Sequence, residues 1–226
     1  MRKLLILMLI ALMVVPSVMA RRKSKKAGEV EKNVFTDEKY GYQLTLNDLW
    51  KYKIQKDNDD FRIILTKSKY EIPPDYLNAP DYTFIPKMVL FVGESKLSAN
   101  EIIDSLLSDT YESDLKKEVL KEFEIFHRTG GSGMVKEDLL QMGKRPIEID
   151  STRGTSWTAQ VRYTNEVATS AASAGGKRVK GAYGGAIISL KKDNLLYLFH
   201  VMGEWTYFQN NMKDAMDIIN TLKFAK

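Results

Sequence analysis

Side chains that ionise, coordinate metal or attack an electrophile set what chemistry a chain can do, and here no arrangement of them reaches the strength of a catalytic or metal signature. His127 and His200 are the only histidines, each beside an aromatic residue in a strand-like run. A zinc site needs several nitrogen or sulfur ligands with at least one close pair. The chain has no cysteine, so that supply is missing, and both histidines read as structural or surface groups. Ser132 sits in Gly131-Ser132-Gly133, without the wider Gly-x-Ser-x-Gly spacing of a nucleophile elbow, and reads as a turn. Asp57, Asn58, Asp59 and Asp60 could offer oxygens to calcium, but an EF-hand loop counted from Asp57 would need glycine and glutamate where Arg62 and Ser68 stand. Asp and Asn also form turns for their own backbone reasons, so the cluster reads as a solvated hairpin tip. Neither a catalytic residue set nor a metal site or cofactor is expected, and the chain is read as a non-enzyme.

Two segments remain as candidate binding surfaces. Ala168 to Gly185 crowds Ala, Ser and Gly around Lys177, Arg178 and Lys180. A Walker loop would need glycine at Ala171 and a hydroxyl residue at Arg178, so phosphate cradling of that kind is excluded. The segment is expected either to be a flexible basic loop that holds an anion or an acidic partner, or to be an extended hairpin linker. The second candidate is the proline-rich stretch 70–86, with Tyr70, Tyr76, Tyr82 and Phe84 in or beside it. Tyrosine buries contact area at small entropic cost, which suits a partner surface; the same stretch could instead fold back over a sheet edge.

The elements that must position these groups follow from periodicity. Apolar residues alternate with polar ones in Val34–Thr36 and Tyr40–Leu46, the pattern of a half-buried strand pair. Tyr52–Gln55 and Phe61–Thr66 form a hairpin around the Asp-rich turn. Lys87–Val92 is nearly all apolar, which predicts a central strand. Ser98 and Glu101 form a capping box, with Leu97 and Ile102 as its hydrophobic staple, so a helix starts there. Its apolar face runs through Ile103, Leu106, Leu107, Thr110, Val119, Leu120 and Phe123. Further strands are predicted at Glu124–Arg128, Ile147–Asp150, Trp157–Tyr163, Ala186–Leu190 and Leu195–Met202, the last two as a hairpin. A closing helix from Trp205 to Thr221 carries Phe208, Met212, Ala215, Met216, Ile219 and Leu222 on one stripe. The fold class is therefore α+β, a mainly antiparallel sheet with helices packed on its faces.

Compartment is written at the N-terminus. Met1, Arg2 and Lys3 precede an apolar run from Leu4 to Val15, then Pro16, and small residues Val18 and Ala20 at the positions read by signal peptidase. Export with cleavage after Ala20 is expected, to a periplasm or the medium. The alternative, an N-terminal membrane anchor, would need about 20 apolar residues, and the run is shorter. Residues 21–33 are charged and unpatterned and read as a disordered basic leader. Of 34 Lys and Arg, seven fall in residues 1–26, which hold no acid, so the remaining 27 face 29 acids. The body is slightly acidic and gives no basic face for nucleic acid. Arg21 to Lys26 is expected to make at most a weak contact with anionic head groups. Residues 34–226 form one domain.

The opening VFTDEKYGYQLTLNDLW (residues 34–50) is similar to the start of PsbP-like domains, with Asn47, Asp48 and Leu49 where that group has a proline before Trp50. LLYLFHV (195–201) and IINTLKF (218–224) resemble the last strand and the Phe-containing tail of that group. The resemblance implies an α/β/α sandwich used as a binding or assembly module, as in extrinsic photosystem proteins, a Ran-binding nuclear-import factor and exported bacterial proteins. The expected function is accordingly non-enzymatic binding of an envelope or secreted protein; the alternative is carriage of a small apolar or anionic ligand between sheet and helix.

Overall fold

A computed structural model describes residues 25–58, 60–71, 85–107, 134–167 and 177–225. Two antiparallel sheets organise them. Strands β1 (Glu29–Glu31), β2 (Val34–Asp37), β3 (Tyr42–Thr45) and β11 (Lys223–Phe224) form a small sheet in the order β1-β2-β3-β11. Strands β4 (Trp50–Ile54), β5 (Phe61–Lys67), β6 (Lys87–Glu94), β7 (Met134–Ile149), β8 (Thr152–Val167), β9 (Lys177–Lys192) and β10 (Leu195–Glu204) form a large one, ordered β4-β5-β6-β10-β9-β8-β7. Helices α1 (Ala99–Leu107) and α2 (Trp205–Ile219) pack on the large sheet.

Period-two alternation distributes the apolar residues between two cores. Met88, Leu90 and Val92 of β6, Ala186, Ile188 and Leu190 of β9, and Tyr197, Phe199 and Val201 of β10 face the small sheet and α2. Val89 and Phe91, Ile187, and Leu196, Leu198 and Met202 face α1, whose Ile102, Ile103 and Leu106 complete the second core. Strands β6 and β10 are buried on both faces, which is why their sequences read as continuous apolar runs. The α+β architecture expected from the sequence is the one observed, with a small sheet sharing the α2 face.

Local signals explain the helix starts. The Ser98 amide donates to Glu101 Oε2 at 2.8 Å, and the Glu101 amide donates to Ser98 Oγ at 3.3 Å, the reciprocal bonds of a capping box. Helix α2 begins on Glu204, which is buried and accepts from the Tyr207 amide at 3.3 Å and the Thr206 hydroxyl at 2.9 Å. A carboxylate there also meets the positive end of the helix dipole.

Two expectations are corrected. Residues 25–33, expected in a disordered leader, are part of the fold: β1 pairs with β2, Lys26 bridges to Lys56, and Ala27 is buried. The β1–β2 turn is Lys32-Asn33, both left-handed with φ of 48° and 64°, as in a two-residue hairpin turn. The alternating charges of Glu29 and Glu31 had hidden the strand, because they are its exposed face. Second, Lys177 to Gly185 is strand, not loop: β9 spans sixteen residues, pairing Lys177 with Val167, Arg178 with Glu166 and Lys180 with Thr164. Gly184 serves helix packing, since a Cβ there would lie 2.1 Å from the Phe208 ring of α2. Strand β7 also extends far upstream of the expected Ile147, to Met134. The predicted strand Glu124–Arg128 and the helix beyond Leu107 lie outside the described residues.

Candidate binding site

The proline-rich stretch leaves the sheet at the end of β5 and returns at the start of β6. Lys67 closes β5, and its amide donates to the carbonyl of Pro86 at 2.9 Å, so the two ends of the stretch are held side by side. The first turns of α2 stand against this junction. Between them lies an open cleft of about 210 Å³, lined by Lys67, Lys69, Tyr70, Glu71, Tyr207, Asn210 and Asn211. Lys67 is largely buried there and is neutralised, donating to Asp214 Oδ2 at 2.6 Å and to Asn211 Oδ1 at 2.8 Å. Desolvation and the neighbouring Glu71 carboxylate raise the pKa of the Tyr207 phenol, which keeps it a neutral hydrogen-bonding group. Aromatic faces from Tyr70 and Tyr207, with exposed Lys69, Glu71 and Asn210 around them, make a surface suited to contact with a protein: amphipathic rings within a polar rim.

Of the predicted surface residues, the structure brings Tyr70 into this cleft, while Tyr76, Tyr82 and Phe84 lie outside the described residues. Lys177, Arg178 and Lys180 are not joined to Tyr70 in that cleft; their backbone belongs to the β8–β9 ladder. From Lys177 onward the backbone is strand, and residues 168–176 of this segment lie outside the described residues. His127 and Ser132 lie outside the described residues. His200 is buried on β10, opposite Val89 and Ile187, and burial, reinforced by Lys87, lowers its pKa to about 3. A neutral core imidazole fits its reading as a structural group. Asp57 is tied into the fold more than a solvated tip would be, its carbonyl accepting from Lys39 Nζ at 3.1 Å and Arg62 Nη1 at 3.0 Å.

The polar centre that the sequence reading missed is Arg62. It is fully buried, and its Nε lies 2.6 Å from Oδ2 of Asp37, also fully buried. Nη2 donates to the Ala27 carbonyl at 3.1 Å, and the guanidinium stacks 4.7 Å from the Tyr40 ring centre. Burial opposes its charge, but the Asp37 carboxylate outweighs that and raises its pKa. A planar fork with several fixed donors can join three segments at once, here residues 27, 37 and 57. The available signal was one arginine between Phe61 and Ile63 in the otherwise apolar run from Phe61 to Leu65.

No protein-family model matches the sequence, and no curated protein matches it. Among solved structures, the chain is similar to cyanobacterial PsbP (CyanoP) from Synechocystis sp. PCC 6803, with 8% identity, TM-score 0.42, and coverage of 87% of this chain and 96% of that one. It is also similar to LpqN of Mycobacterium tuberculosis, described as involved in cell envelope biogenesis, with 8% identity, TM-score 0.38, and coverage of 82% and 83%. A third is the Ran-binding protein Mog1p of Saccharomyces cerevisiae, with 10% identity, TM-score 0.37, and coverage of 89% and 97%. The PsbP-like resemblance read from the two ends of the chain thus has counterparts among solved folds. Among the described residues no helix is long and apolar enough to cross a membrane.

Proposed function

We propose that this chain is an exported, non-enzymatic binding module, and that the cleft between Tyr70 and Tyr207 receives a protein partner in the envelope or exterior. The observation that carries the reading is the junction itself: the two ends of a proline- and tyrosine-rich stretch are held together beside the start of a helix, next to a cleft that is open among the described residues and lined by Tyr70 and Tyr207. Export rests on the residues from Met1 to Ala20. The exposed Lys25 and Lys26 continue the basic run from Arg21, which gives that segment a weak affinity for anionic head groups.

The carrier alternative is less well supported. Small-ligand sites are enclosed, mostly apolar volumes of about 300–1,000 Å³. Here the space between the large sheet and α2 is filled by Phe208, Ala215, Ile218 and Ile219, and Phe208 presses on Gly184. Capture from the native envelope fraction, with mass spectrometry for proteins and small molecules, tests the reading. A partner protein retained by the wild type and lost with Tyr70→Ala/Tyr207→Ala is the expected result. Equal retention by both, or a bound small molecule in place of a protein, would overturn it. Deletion of residues 72–84, which spares the Lys67 to Pro86 bond, should abolish capture as the double substitution does.

A further inference from the structure

Lys67 is the last residue of β5, and three segments meet on it. Its amide donates to the Pro86 carbonyl at 2.9 Å, and its ammonium crosses to α2, donating to Asn211 Oδ1 at 2.8 Å and to Asp214 Oδ2 at 2.6 Å. Tyr207, Asn211 and Asp214 are spaced i, i+4 and i+7, so a helix of 3.6 residues per turn sets them on one stripe. Lys67 therefore grips α2 about one and two turns below Tyr207, on the side that Tyr207 shares. Asn211 is buried, and a Cβ placed at Gly203 would lie 3.5 Å from its Nδ2 and 3.6 Å from Pro86 Cβ, so the same asparagine stands beside the returning end of the proline-rich stretch.

Taking the cleft between Tyr70 and Tyr207 as the partner site proposed above, we infer that Lys67 is its positioning residue. The lysine fixes the rotation of α2 and so sets Tyr207 against Tyr70, and its charge is used within the chain rather than offered to the partner. Tyr70 follows Lys67 by three residues, a reach of about 10 Å at most, so a helix pinned to Lys67 is pinned close to Tyr70 as well. The ammonium is closed off from an incoming acid. Its side chain is 13% exposed and that of Asp214 is 26% exposed, so a partner carboxylate that took Lys67 would leave Asp214 a partly buried, unpaired charge, which is unfavourable. The rim is balanced in the same way, with one base, Lys69, and one acid, Glu71, beside the two tyrosines. The tyrosine faces, and not an ion pair through Lys67, are what the partner meets.

Capture from the native envelope fraction by the wild type, Lys67→Met, Lys67→Glu and the exchanged pair K67E/D214K tests this, with urea unfolding of each variant to establish that it is folded. The wild type should retain the partner, and both single variants should lose it while remaining folded. K67E/D214K should recover it, because the two side chains keep the same combined reach and the Asn211 amide can turn to donate to the new carboxylate. A lysine that touched the partner itself would not be replaced by a charge moved to position 214. Failure of the exchanged pair to recover capture would therefore overturn the inference, as would retention by Lys67→Met equal to that of the wild type. Neither result touches the cleft reading if Tyr70→Ala/Tyr207→Ala still loses the partner. A wild type that retains no protein dependent on those tyrosines would overturn both.

Discussion

His200 makes the stability of this domain depend on pH in a direction and by an amount that the structure sets. Its imidazole is buried on β10 between Val89 of β6 and Ile187 of β9, with Lys87 adding repulsion, and titrates at about 3 against an ordinary 6.5. The unfolded chain binds a proton below pH 6.5 and the native state does not. Stability is therefore undiminished above that pH and falls as pH drops toward 3. At about 1.36 kcal/mol per pH unit, the full gap is worth about 5 kcal/mol, and about 3 kcal/mol is already lost at pH 4.5. Urea unfolding followed by tryptophan fluorescence at a series of pH values between 7.5 and 4 measures this. His200→Leu removes the titration, so its stability should decline less steeply than that of the wild type below pH 6.5, with a difference in slope close to one proton. Parallel curves for the two proteins would refute the reasoning, because they would mean that the imidazole is protonated in the native state.

Other substitutions probe the remaining contacts. Arg62→Met strands the Asp37 carboxylate in the core and should cost about 3–5 kcal/mol in urea unfolding, whereas Arg62→Met/Asp37→Leu should recover most of that loss. Gly184→Ala drives a methyl group into the Phe208 ring and should lower stability by about 1–3 kcal/mol, read as a fall in Tm. Ser98→Ala removes one half of the capping box and should cost about 1 kcal/mol, with the loss visible in chemical denaturation.

The parts of the fold that could be read from the sequence are those where side-chain pattern alone decides the outcome. The apolar runs of β6 and β10 and the capping box of α1 announced themselves, because burial on both faces and reciprocal amide capping leave local traces. What escaped depended on distant residues. Strand β1 is a strand because Ala27 meets Arg62 and Glu29 to Glu31 lie along β2; nothing within residues 21–33 reveals either partner. The glycine-rich start of β9 reads as a loop until Phe208, more than twenty residues later, is seen to need the space at Gly184. Tyr70 stands out in the sequence through its proline-rich surroundings, whereas Tyr207, its neighbour in the cleft, lies off the buried stripe of α2 that carries Phe208 and leaves no such trace.

The binding account stands or falls on whether Tyr207 touches a partner in place. A photo-crosslinking amino acid introduced at Tyr207, with the same substitution at the more exposed Tyr52 of β4 as the control, reports this directly in native envelopes after irradiation. A discrete protein adduct formed from position 207 and not from position 52 is the predicted result. No adduct from position 207 beyond that from position 52 would contradict the account.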